Sequence, residues 1–149
     1  MPQSEISGDL IAAYRSTEYR IESGCGGITL HIDQRSEPLS RLFAESGHRC
    51  AAFITASNPF SVPQTQEENL AACARLRNTL DRQLHGCLGK AGQIMEGTGC
   101  DPTGTWAAEK SFLALGLDLE TSKAVGKEFG QNAVVWAGSD AIPRLVLLR

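Results

Sequence analysis

Residues Cys50-Ala51-Ala52-Phe53-Ile54-Thr55-Ala56 form a short run that is apolar on both faces. Strand side chains alternate between two faces, so such a run belongs inside a sheet. It stops at the polar loop Ser57-Asn58, and a helix with a readable start follows at Thr65. Thr65-Gln66-Glu67-Glu68 is a capping box: Thr65 accepts from the third helical amide, and Glu68 reaches back to the amide of Thr65. Loops just past a strand end are where rigid folds display chemistry.

The remaining elements are placed from this centre. A short helical lead is expected over 9–14. Glu18 to Glu22 and Ile28 to Ile32 read as two strands, and the turn-rich Ser23-Gly24-Cys25-Gly26-Gly27 between them suits a β-hairpin. Ser36 caps a helix from Pro38 to Ser46, with proline in its first turn and Gly47 at its end. The Thr65 helix runs to about His85, with Leu70, Cys73, Leu76, Leu80 and Leu84 on one stripe. Gln93 to Gly97 is a weak strand, followed by the glycine-containing loop 97–104. Lys110 to Leu115 is a further strand. Asp118 caps a helix that ends near Phe129, before Gly130. Asn132 to Ala137 and Arg144 to Leu148 are the last two strands, with Gly138 and Pro143 in the turn between them.

The order is ββα, then βαββαβ, then a final β. The middle block has the order of a split βαβ unit. The expected class is therefore α+β: a ferredoxin-like core with an N-terminal β-hairpin and helix and an extra C-terminal strand. In this reading strands 50–56 and 110–115 are central and parallel, with 132–137 antiparallel beside the first. One domain is expected over 1–149, with a flexible N-terminus over 1–10.

Composition bounds the function. A domain of this size buries roughly 68–70% of its unfolded surface, so it needs no metal or disulfide for stability. The net charge is −3 and no dense Lys/Arg run occurs, which speaks against a nucleic-acid partner. No apolar stretch approaches the roughly 20 residues of a membrane span. The N-terminus lacks the basic and apolar regions of a secretory signal, so a cytoplasmic location is the default. The cysteines Cys25, Cys50, Cys73, Cys87 and Cys100 are odd in number and include no Cys-x-x-Cys pair. They read as free thiols.

The split βαβ order brings the end of strand 50–56 beside the start of 132–137. Ser57 and Asn58 then lie near Gln131 and Asn132. At about 100° per residue, Asn69 falls near the centre of the leucine stripe and Gln66 on the same side. These amides sit where the first helical N–H groups lack partners. Ser57, Asn58, Asn69, Gln131 and Asn132 are expected to converge on a polar pocket at one end of the sheet. Such a pocket suits a small polar or anionic molecule. The alternative is structural, with the amides satisfying each other and joining two loops. Arg15, in the dense segment Tyr14–Arg20, could pair with a negative group or dock the N-terminus through an Arg–Glu pair.

Other constellations are thinner. Gly97-Thr98-Gly99 and Gly104 invite a phosphate-loop reading but lack the Gly-Lys-Ser/Thr ending. Glu109, close to Trp106, and Glu67, near the helix start, are the weak candidates for a general acid or base. In a parallel arrangement of the central strands Glu109 falls at the opposite end of the sheet from Asn58. His31, His48 and His85 are isolated and match no zinc spacing, so no metal is expected. No cofactor motif is present. A third reading is an interaction module, pairing as a homodimer through edge strand Arg144–Leu148.

Tyr14-Arg15-Ser16-Thr17-Glu18-Tyr19-Arg20, Phe53-Ile54-Thr55-Ala56-Ser57-Asn58-Pro59-Phe60 and Glu67-Glu68-Asn69 occur in this order. Glu109-Lys110-Ser111-Phe112 and Phe129-Gly130-Gln131-Asn132-Ala133 follow. Together they resemble the motifs of a bacterial family known as domain of unknown function 3293. The resemblance spans 14–149. It implies a small bacterial protein and supplies no activity. Ser57 departs from the aromatic residue the resemblance implies there, which speaks against a stacking role at that position.

Overall fold

The computed structural model describes residues 6–22, 27–59, 62–85, 93–104 and 108–149. The elements are α1 (Gly8–Ser16), β1 (Glu18–Ile21), β2 (Ile28–Leu30), α2 (Glu37–Ser46), β3 (Ala51–Thr55), α3 (Gln66–His85), β4 (Gln93–Cys100), β5 (Glu109–Leu115), α4 (Leu119–Glu128), β6 (Ala133–Ala137) and β7 (Arg144–Leu147). The protein is α+β. Its strands form one seven-stranded sheet in the order β2-β1-β4-β5-β3-β6-β7, with every neighbouring pair antiparallel.

Local sequence explains the helix starts. The Ser36 hydroxyl accepts from Leu39 N at 3.2 Å, and Asp118 Oδ1 accepts from Thr121 N at 2.7 Å. The capping box at Thr65 forms as expected: Glu68 N donates to Thr65 Oγ1 at 3.1 Å, and Thr65 N donates to Glu68 Oε1 at 3.3 Å. Gly47 ends α2 with φ 77°, a backbone state that costs glycine nothing. Helix α1 is capped by Ser7 and follows a buried Ile6, so it begins inside the stretch 1–10 expected to be flexible.

Alternation along β3 builds two cores. Ala52, Ile54 and Ala56 face Ala72, Cys73, Leu76, Leu80 and Leu84 of α3 and Val125 of α4. Ala51 and Phe53 face the other way, into a cluster with Tyr19, Ile21, Leu113, Val135 and the α2 residues Leu39 and Phe43. The sheet thus has helices on both faces, which is what a strand apolar on both sides requires. Of the expected α3 stripe, Leu70 is the exception, 52% exposed. It lies about 80–100° around the helix from the buried line, where Asn69 takes the inward position. Gln66, expected to point inward, is exposed.

Two expectations are corrected. Strands β3 and β5 run antiparallel, with Ala51 opposite Leu115 and Thr55 opposite Ser111. Helix α3 returns the chain so that β4 runs parallel to β3, and the following antiparallel strand β5 reverses it. The strand between them must therefore oppose both. Secondly, β4 extends to Cys100, so Gly97, Thr98 and Gly99 are strand residues paired with Ile21, Arg20 and Tyr19. That pairing removes the phosphate-loop reading of this segment. The glycine turn 23–26, Cys87 and Trp106 lie outside the described residues. Among the described residues, no helix is long and apolar enough to cross a membrane.

Candidate functional site

Register extends past the strand ends to one line of residues. Tyr19 pairs with Gly99, and Gly99 pairs with Glu109. Continuing the β3–β5 register by two residues and the β3–β6 register by four places Ser57 between Glu109 and Gln131. Tyr19, Gly99, Glu109, Ser57 and Gln131 thus form one row across the sheet, on the α1 side. All five line a cavity of about 340 Å³ between the sheet and α1. Helix α1 supplies Leu10, Ala13 and Tyr14 to its wall, yet none of its residues is fully buried. Phe53, Thr55, Ser111, Val135 and Leu145 complete much of the sheet side.

Asn58 is the node of the polar wall. Its backbone N–H donates to Asn69 Oδ1 at 2.9 Å, and its Nδ2 donates to Glu109 Oε2 at 3.0 Å. Its Oδ1 accepts from Asn69 Nδ2 at 2.9 Å and from Gln64 N at 3.0 Å. Asn58 holds φ 44°, a left-handed state that asparagine tolerates better than most side chains. Asn69 stands behind Asn58 and does not line the cavity. Gln131 Nε2 donates to Ser57 O at 3.3 Å and to Phe129 O at 3.2 Å, closing the corner between β3 and β6. Thr55 Oγ1 accepts from Ser57 N at 3.0 Å.

Glu109 is the cavity's carboxyl. Burial pushes its pKa above the ordinary glutamate value, and the hydrogen bond from Asn58 offsets part of that. Among the described residues no Arg or Lys lies within ion-pair distance of it. Tyr19 is the cavity's second acid, and it is buried. Its hydroxyl donates to Tyr14 O at 2.6 Å, and burial pushes its pKa far up, so the phenol stays neutral. The Tyr19 ring meets Phe53 edge-on, with centroids 5.2 Å apart. The site therefore combines an aromatic and aliphatic wall with one charged group and a few fixed amides and hydroxyls. That is the make-up of small-molecule pockets in general.

The sequence-expected residues divide. Ser57, Asn58 and Gln131 line the cavity with Glu109. Asn132 is buried close by, and its Nδ2 donates to the Tyr14 hydroxyl at 3.4 Å. Arg15 lies outside the lining and pairs with Asp33 Oδ2 at 2.7 Å on the surface. Glu67 is exposed in the first turn of α3, away from the cavity. The placement of Glu109 opposite to Asn58 is overturned by their hydrogen bond, as the antiparallel β3–β5 pairing demands. Sequence reasoning missed Tyr14, Tyr19, Phe53, Thr55, Gly99 and Ser111 as wall residues. The signal for three of them was alternation: Gly99 and Ser111 share the face of Tyr19 once the strand order is known.

A family model described as a protein of unknown function, DUF3293, matches residues 54–134, more than half of the chain. No curated protein and no solved structure matches it. The matched span contains Ser57, Asn58, Asn69, Glu109, Gln131 and Asn132.

Proposed function

We propose, from the premise that the chain belongs to the DUF3293 family of proteins of unknown function, that it is a small-molecule-binding domain. Its ligand occupies the cavity between α1 and the sheet. The observation that carries this reading is the cavity itself, with Glu109, Asn58, Ser57 and Gln131 gathered at its polar end. Its volume of about 340 Å³ suits a small metabolite. A merely structural amide cluster would have no reason to border an open apolar space. The order β4-β5-β3-β6, with α3 and α4 on one face, supports a ferredoxin-like reading of residues 51–137. The free thiols and acidic balance suit a cytoplasmic setting.

Gly99 provides the test. Among the described residues a Cβ added there meets only Thr17 Cγ2, at 3.9 Å. Its missing side chain leaves room between Tyr19 and Glu109. Gly99→Leu should keep the fold, because a strand loses nothing when glycine is replaced without a clash. It should also fill the cavity. A metabolite screen by protein-observed NMR should give hits that shift wall residues in wild type and lose them in Gly99→Leu. Hits that bind both proteins equally, or shift residues elsewhere, would contradict the pocket.

A second reading makes the domain an enzyme with Glu109 as general acid or base. It is favoured by the raised pKa of a carboxyl that lines the same cavity. Turnover of a bound metabolite that is lost in Glu109→Gln, with binding retained, would separate catalysis from binding alone.

A further inference from the structure

We infer that the cavity's ligand is a small primary or secondary amine, bound as its ammonium against the Glu109 carboxylate with its apolar body among Tyr14, Tyr19 and Phe53. This rests on the reading of the cavity as a small-molecule site and deepens it. Among the described residues Glu109 has one hydrogen bond, from Asn58, to one of its two oxygens. A half-buried carboxylate is stabilised by a cation or by several donors. Among the described residues none of the arginines or lysines supplies that cation, and none lines the cavity. Arg15, the cation nearest in sequence to the α1 wall, is spent on Asp33 at the surface. An ammonium group on the occupant supplies the complementary charge. The same wall argues against an anion, which would face the carboxylate with no cation to offset it. Aromatic rings add attraction for a cation near their faces. The charge-assisted bond then fixes the ammonium end, and the apolar volume selects what is attached to it.

A matched trio of probes isolates the charge: 2-phenylethylamine, 2-phenylethanol and phenylacetate share a body and differ in their polar end. NMR titration at neutral pH is expected to rank them amine, then alcohol, then carboxylate, with the amine at least about tenfold tighter than the alcohol. Glu109→Gln keeps an oxygen for Asn58 Nδ2 and removes the charge. It should lower amine affinity by about tenfold or more and leave the alcohol within about twofold. Blocked lysine (N-acetyl-lysine N-methylamide) in the same titration distinguishes a free amine from a protein lysine side chain. It should bind more weakly than the simple amine, and tighter binding would overturn the small-molecule assignment. Equal affinity across the trio, or a preference for phenylacetate, would overturn the amine while leaving the cavity a binding site. Failure of all three to shift any wall residue at millimolar concentration would overturn both. If Glu109→Gln does not fold, judged by its amide spectrum, the wild-type ranking alone decides.

Discussion

Asn58→Ala should destabilise the protein by roughly 3 kcal/mol, lowering its melting temperature by about 6–12 °C. Three costs combine. Alanine at φ 44° pays the left-handed penalty that asparagine partly avoids. Asn69 loses the hydrogen bond from its Nδ2, and the amide of Gln64 loses its acceptor. Glu109 loses its one hydrogen-bond donor among the described residues while remaining half-buried. At Asn69 and Glu109 this leaves partly buried polar groups unsatisfied, which costs more than an average hydrogen bond contributes, whereas the exposed Gln64 amide turns to water. Asn58→Gly separates the terms, because glycine accepts the backbone state freely. It should recover about 1 kcal/mol relative to alanine. Urea unfolding of the three proteins checks this. An alanine variant within about 0.5 kcal/mol of wild type would mean that the node carries no weight.

Gly97→Ala is the second large effect, about 2–3 kcal/mol of destabilisation. A Cβ at Gly97 would lie 2.6 Å from the backbone oxygen of Arg20 and 2.9 Å from Phe53 Cε2. The first neighbour is main chain in the paired strand β1, so relief requires β1 and β4 to separate. The second is the aromatic wall of the cavity. Gly99, two residues on and on the same face, has no such neighbours, and Gly99→Ala should change stability by less than about 0.5 kcal/mol or raise it slightly. Thermal unfolding of the pair reads the contrast directly. Equal effects of the two alanines would place β4 in a different register or facing differently.

The local signals in the sequence were strong and the orientation signals weak. Ser36, Asp118, the Thr65–Glu68 box and Gly47 each mark a helix end through chemistry confined to a few residues. The apolar run 50–56 announced a strand covered on both faces. Ser57 and Gln131 could be brought together because the split βαβ order sets β6 antiparallel beside β3. No local signal marks the orientation of β5, on which the placement of Glu109 depends. Yet the order strand, helix, strand, strand contains the answer, since an antiparallel pair after a crossover reverses the chain. Gly97 and Gly99 resembled a loop because glycine is poor at strand interiors, and only their pairing with β1 reveals why glycine is needed there. Arg15 looked suited to a ligand by residue type alone, and no local pattern foretold Asp33 as its partner.

The most direct measurement is a ¹³C NMR titration of the Glu109 carboxyl carbon. Burial in the cavity, opposed only by Asn58, places its midpoint above the ordinary glutamate value. The folded protein then holds this proton more tightly than the unfolded chain. Its contribution to stability is present below the unfolded pKa and is lost as pH rises through the higher folded one. Relative to Glu109→Gln, wild-type stability should therefore fall across that window. A carboxyl that titrates at the ordinary value of about 4.3, with no change in relative stability, would put Glu109 in open water and remove the basis for this site.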